Sequence, residues 1–68
     1  MNNFSVRLKE LRGEKGLSQN KLAKLTGLTQ VSISLWESKK KNPSIDAVII
    51  LAKFFNVTTD YLLGVVDY

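Results

Sequence analysis

The sequence predicts an all-α fold, a compact bundle of five short helices, and three observations carry that expectation. Apolar residues recur at helical spacing along the whole chain, with no stretch of strand alternation. A serine or threonine stands where each helix after the first begins, and glycine or proline where the first, second, third and fifth stop. The segments between these signals are only a few residues long, which packs consecutive helices against each other.

The first helix is expected from about Phe4 to Lys15, with Phe4, Leu8 and Leu11 at i, i+4 and i+7. Gly13 weakens its last turn and Gly16 supplies a left-handed stop. Ser18 caps a second helix, QNKLAKLT, whose inner side is Leu22, Ala23 and Leu25, and Gly27 ends it. Thr29 caps a third, QVSISLWES. Pro43 forbids continuation through the lysine block that follows, and Ser44 caps a fourth, IDAVIILAKFF. Thr58 or Thr59 opens a short fifth turn, DYLLG, closed by Gly64. The expected interior is Leu8, Leu11, Leu17, Leu22, Leu25, Ile33, Trp36, Val48, Leu51, Phe55 and Leu62. A chain of 68 residues needs nearly all of them buried to offset its conformational entropy.

That length is one domain, residues 1–68, with no internal repeat or long linker. Without cysteine or histidine, disulfides and the usual zinc ligand sets are excluded. Enzymatic chemistry lacks its usual inventory too: most serines and threonines are accounted for as caps, no carboxylate pair converges, and there is no glycine-rich phosphate loop. No cofactor, metal or small-molecule ligand is expected. No apolar run is long enough for a membrane span, and MNNFSVRLKELR lacks the apolar core of a signal peptide, so the cytoplasm is the expected location. A net charge of +4 hints at a polyanionic partner, but its placement says more than its size.

The stretch from Ser18 to Ser38 is the informative one. Two helices of under ten residues cross closely only where the side chains between them are small. Ala23 is mid-helix on the inner side, Gly27 follows four later, Ile33 six after that, and Trp36 three further on. This spacing fits a helix-turn-helix. The longer stretch RLKELRGEKGLSQNKLAKLTGLTQVSISLWE, followed by KNPSIDAVIILAKFFNVTTDYLLG, resembles the Cro/repressor-type (Xre-type) helix-turn-helix family of phage and bacterial regulators, from roughly Arg7 to Gly64. The resemblance implies a lambda-repressor-like DNA-binding domain. Its third helix would enter the major groove of double-stranded DNA, usually as a homodimer on a two-fold site, in a bacterial or phage-encoded, nucleoid-associated protein.

At 100° per residue, Ile33 and Trp36 fall on one side of the third helix. Val31, Ser34, Leu35 and Ser38 lie on the other, with Gln30 at its margin. One helix cannot turn both sides into so small an interior, and a major groove suits the second side. The amide of Gln30 matches adenine N6 and N7, while Val31 and Leu35 can press on thymine methyls and Ser34 can donate or accept. The expected half-site is therefore A/T-leaning. The resemblance places Gln30, Val31, Ser32, Ser34 and Leu35 at positions that touch DNA. Leu35 departs from the family, where a polar or basic side chain is commoner. Either discrimination against G·C weakens at that step, or Leu35 serves another contact.

Phosphate contacts are expected at both ends of the motif. Ser18 and Gln19 begin the second helix, and Thr29 and Ser32 the third, where free N–H groups favour an anion. Gln19 matches the family's usual glutamine. Lys39, Lys40, Lys41 and Asn42 leave the far end of the third helix, within reach of the neighbouring backbone. Ser38-Lys39 stand where the family usually has Asn-Gly, a loss that matters if the second position is left-handed. The resemblance also makes Arg12 and Glu37 a partly buried ion pair.

On the fourth helix, Ile45, Val48, Leu51, Ala52 and Phe55 share one side, while Ile50 and Phe54 stand on another. Either the tail with Val65, Val66 and Tyr68 folds back over these two, or they form a weak dimer contact together with Tyr61, Val65 and Val66. Two functions from different classes remain: a sequence-specific DNA-binding regulator, most simply a repressor, and a protein-interaction module such as an antitoxin or anti-regulator. Gln30 and the lysines favour the first, Leu35 the second.

Overall fold

The computed structural model describes residues 3–68. It holds five helices and, among the described residues, no strand: α1 (Phe4–Glu14), α2 (Gln19–Thr26), α3 (Gln30–Glu37), α4 (Ile45–Phe55) and α5 (Thr59–Leu63). Four of the starts share one mechanism. The side-chain oxygens of Ser18, Thr29, Ser44 and Thr58 each accept a hydrogen bond from the backbone N–H three residues on, satisfying a donor that the first helical turn leaves free. The stops of α2 and α5 are left-handed glycines, Gly27 at φ +76° and Gly64 at φ +79°. The end of α4 uses Asn56 at φ +57°, a side chain that tolerates this region. Lys15 and Ser38 fall just outside α1 and α3 rather than in their last turns.

Packing joins α1 to α3 and α5, α2 to α3 and α4, and α4 to α5. Leu8, Leu22, Ile33, Leu51 and Leu62 supply one fully buried side chain from each helix. Around them close Phe4, Leu11, Ala23, Trp36, Ala47, Val48, Ala52 and Phe55, with Leu17 packed against the rim. The first and last helices are clasped directly. Asn3 N–H donates to the Leu63 carbonyl at 3.0 Å, and Arg7 donates from Nη1 to the Tyr61 carbonyl at 2.8 Å while its guanidinium lies 4.1 Å from the Tyr61 ring centre. Gly64 is required at this clasp, because a Cβ there would stand 2.6 Å from the Asn3 nitrogen.

One expected core position and one expected helix side are corrected. Leu25 is 50% exposed. It lies about 60° round from Leu22 at 100° per residue, past the edge of the narrow stripe that α2 buries. Ile45 does not share the inner side of α4: it is the first residue of the helix, sits at the edge of the buried arc, and is 79% exposed. Within the tail, Val66 is half-buried. Val65 and Tyr68 are exposed, and Tyr68 borders a hollow lined by Leu11, Glu14, Val57, Thr58 and Tyr61. No helix among the described residues is long and apolar enough to cross a membrane.

Candidate nucleic-acid interface

Helix α3 is pinned from one side. Ile33 is fully buried, and Trp36 packs edge-on to Phe4 with ring centres 6.1 Å apart. Thr29 fixes the start: its Oγ1 accepts from Ser32 N–H at 3.1 Å and donates to Ser32 Oγ at 2.9 Å, which leaves the Ser32 hydroxyl proton free to point outward. What remains open is Val31, 64% exposed, flanked by half-buried Gln30, Ser32, Ser34 and Leu35. Leu35 is thus less open than its neighbour, and only part of its side chain is available to anything outside.

Beneath that surface lies a polar chain that crosses three helices. Arg12 grips Glu37 in a fork, Nε to Oε2 and Nη2 to Oε1, both at 2.8 Å, and its Nη1 donates to the Leu17 carbonyl at 2.8 Å. Gln19 Nε2 donates to Glu37 Oε1 at 3.1 Å, and Gln30 Nε2 donates to Gln19 Oε1 at 2.8 Å. The Glu37 side chain is 3% exposed and that of Arg12 19%. Burial alone pushes the Glu37 carboxyl upward. Hydrogen bonds from Arg12 and Gln19 with the charges of Arg12 and Lys9 outweigh burial and hold it below its ordinary value of 4.5. The Arg12 guanidinium is raised, first by its hydrogen bond to Glu37, against the opposing effect of burial. Glu37 is therefore a carboxylate at neutral pH.

The ends of α3 and α2 carry the remaining candidates. Past Glu37 the chain turns through Lys39 at φ +63°, with Lys40 N–H donating to the Leu35 carbonyl at 2.9 Å and Lys39 N–H to the Trp36 carbonyl at 3.2 Å. A lysine held left-handed there costs about 1 kcal/mol that a glycine would not. Lys39, Lys40, Lys41 and Asn42 are all exposed. At the start of α2, Ser18 Oγ accepts from Lys21 N–H at 3.0 Å, and Gln19 spends one N–H on Glu37 and its carbonyl oxygen on Gln30, which leaves its second N–H open. Lys9, Arg12, Gln19, Ser34, Glu37 and Ser38 line an open polar hollow of about 280 Å³ beside α3.

Sequence reasoning missed the two links through Gln19, because they join residues 11 and 18 positions apart on different helices and leave no trace in periodicity. It also passed over Lys9, which spacing could have found: it lies three residues before Arg12, on the same side of α1.

A second surface has a different chemistry. Ile45, Ile49 and Leu63, with Asn42, Pro43, Val48 and Thr59, line a groove of about 480 Å³ between the start of α4 and α5. Of the expected dimer residues, Ile50 and Val65 are exposed. Phe54 is half-buried, edge-on to Phe55 at 5.0 Å, and Tyr61 lies under Arg7. Val66 is half-buried.

Capped helices α2 and α3, crossing over Ala23 with α3 anchored by Ile33 and Trp36, define a helix-turn-helix. A helix-turn-helix family profile matches residues 8–62, and the chain belongs to that family, in its Cro/repressor (Xre) branch. It is 36% identical over 64 residues to the uncharacterized HTH-type transcriptional regulator YobD of Bacillus subtilis, an alignment covering 94% of this chain and 57% of that protein. It is 40% identical over 61 residues to the HTH-type transcriptional activator BcrR of Enterococcus faecalis, covering 90% of this chain and 30% of BcrR. Among solved structures it resembles the restriction-modification controller protein C.AhdI from Aeromonas hydrophila, with a TM-score of 0.79, 37% identity, and coverage of 87% and 89% of the two chains. A transcriptional regulator from Listeria innocua superposes with a TM-score of 0.88 at 29% identity, covering 97% of this chain and 62% of that one. The chain thus spans about half or less of the two curated relatives it matches here.

Proposed function

We propose that this domain binds double-stranded DNA sequence-specifically and regulates transcription, as a repressor in the bacterial or phage-infected cytoplasm, by laying α3 in the major groove of an A/T-leaning two-fold operator. The observation that carries this reading is α3 itself. It is pinned by Ile33 and Trp36 and offers Gln30, Val31, Ser34 and the open part of Leu35. Three exposed lysines follow immediately. Gln30 is suited to adenine and Val31 to a thymine methyl, and each such base contact is worth about 1–3 kcal/mol of discrimination at best. Ser18, Gln19, Thr29 and Ser32 at the two helix starts, with Lys39, Lys40, Lys41 and Asn42 beyond α3, fix the register on phosphates. Repression requires only occupancy of a promoter, which is why it is the simplest outcome for a domain with this surface.

The same reading pairs two copies through the α4–α5 surface, with Ile45, Ile49 and Val65 at the centre and Ile50 at the edge, so that two α3 helices stand about 34 Å apart on one face of the duplex. Phe54, Tyr61 and Val66, each half-buried, stand at the border of that contact.

Selection of the protein on random duplexes at two salt concentrations tests this. The expected result is an enriched, roughly palindromic sequence whose binding weakens steeply with salt, and a reporter silenced when that sequence overlaps its promoter. Replacing Lys39, Lys40 and Lys41 with glutamine should lower affinity for every sequence and flatten the salt dependence by roughly one unit of slope for each phosphate no longer neutralised. No enrichment at either salt would overturn the regulator reading in favour of a protein-interaction module built around Val31 and Leu35.

A further inference from the structure

Val31 is the most open aliphatic side chain on α3, 64% exposed, and its shape is fixed. A valine inside a helix holds one rotamer about 90% of the time, so its two methyls form a patch that loses little freedom on contact. The helix is anchored behind it by Ile33 and Trp36, both buried. Leu35, one turn on and half-buried, widens the apolar patch. Ser34 borders it with a hydroxyl that can donate or accept, and so suits an oxygen or an amino group alike.

Resting on the DNA-binding reading above, we infer that the ligand of Val31 is a C5-methyl group on either pyrimidine, thymine or 5-methylcytosine, which makes the domain responsive to cytosine methylation. Thymine turns O4 and a C5-methyl into the major groove, and cytosine turns N4–H₂ and a bare C5. The methyl of 5-methylcytosine stands on the same ring position as that of thymine. What separates the two methylated bases is polar, O4 against N4–H₂, and valine has no atom that senses it. A bare cytosine leaves the patch facing a space one methyl deep.

Closing that space removes one methyl group from water, worth about fourfold in affinity at each half-site. On a two-fold operator the two half-sites add in free energy, giving about 15-fold for methylation of both. A sequence with cytosine at this step would therefore be a weak site until a cytosine C5-methyltransferase had acted on it. The domain would then tell methylated from unmethylated copies of one operator. Comparing cytosine with 5-methylcytosine leaves the opposing guanine unchanged, so any contact made by Gln30 cancels.

The experiment first replaces each thymine of the selected operator with uracil, which removes only the methyl. The step where binding weakens most is then built in four forms, with thymine, uracil, cytosine or 5-methylcytosine. Affinities for all four are measured with wild type and Val31→Ala, whose melting temperatures should agree closely because the position is exposed. Wild type should prefer thymine over uracil, and 5-methylcytosine over cytosine, by about fourfold for each half-site. In Val31→Ala both ratios should fall below about twofold. Parity between cytosine and 5-methylcytosine in wild type, with thymine still preferred over uracil, overturns the inference and leaves the DNA-binding reading standing. So do ratios that survive in Val31→Ala, which would put the methyl contact on another residue, and so does an operator in which no uracil substitution matters. A wild type that selects no sequence overturns both.

Discussion

Helices α3 and α4 each turn aliphatic side chains to water, Val31 at 64% exposed on one and Ile45 at 79% on the other. What surrounds them differs. Val31 is bordered by Gln30, Ser32 and Ser34, with lysines beyond, and the layer beneath it is an ion pair and two amides in series. Ile45 is bordered by Ile49, Leu63, Pro43 and the aliphatic part of a groove. An exposed aliphatic residue therefore has no meaning alone. Its rim decides whether the surface suits a polyanion with methyl groups on its bases or another apolar protein surface. Damage to the two faces should accordingly separate into different observables.

The largest effect should come from removing the support under the α3 face. Arg12→Ala strands Glu37 as a buried, half-satisfied carboxylate, and urea unfolding should show a loss of about 3–5 kcal/mol. The pair also has a pH signature. Because Glu37 is depressed in the folded state, its contribution is fully present above its ordinary value of 4.5 and fades as pH falls through the lower folded value. Wild type should therefore lose stability in that acid window, and Glu37→Gln should lose less of it.

Next in size is the opposite face. Replacing Ile45 and Ile49 together with lysine should abolish self-association in sedimentation and lower affinity for a two-fold site by about 100-fold, since linked half-sites lose their effective concentration. The melting curve of the monomer should barely move, as both positions are exposed. If instead DNA binding survives intact on a two-fold site, the α4 face has no part in it. Val31→Ala on the α3 face should do the reverse: affinity should fall by about 1 kcal/mol on sites with a thymine at the matched step and hardly at all on sites without it, with no change in association state.

The smallest effect lies at the border between the two faces. Lys39→Gly relieves the left-handed strain at φ +63° and should raise stability by up to about 1 kcal/mol. It also removes a charge, so the same variant should bind DNA less tightly and with a shallower salt slope. A more stable protein that binds less well would show that the lysine is retained at the expense of the turn.

Most of the architecture was readable in the chain. Ser18, Thr29, Ser44 and Thr58 cap where a serine or threonine before an apolar stripe says they should, and Gly27 and Gly64 end helices by adopting the conformation only glycine takes freely. These are local decisions, made within a few residues. The errors fell where a residue stands at the margin of a stripe: Leu25 and Ile45 have the right spacing to be inside, but a helix of eight residues, or its first position, leaves too little neighbouring surface to cover them. The surface proposed to bind DNA can be read as residue types on one side of α3, where the structure leaves Val31 open. The coupling of Gln19 to Gln30 and Glu37 was not, since it depends on how three helices meet and not on any one of them.

The clasp between the ends of the domain has a mechanical consequence. Arg7 and Tyr61 are 54 positions apart, yet together with the hydrogen bond from Asn3 to Leu63 they tie the first helix to the last. Closing a loop of that length costs only about 0.6 kcal/mol more than closing one half as long, so the tie is readily made once the helices have formed. A force applied along the chain from residue 3 to residue 64 would load these few contacts directly, while α2 and α3 lie inside the loop they close. Under tension the domain should therefore open first at this clasp, with the helix-turn-helix the last part to feel the pull.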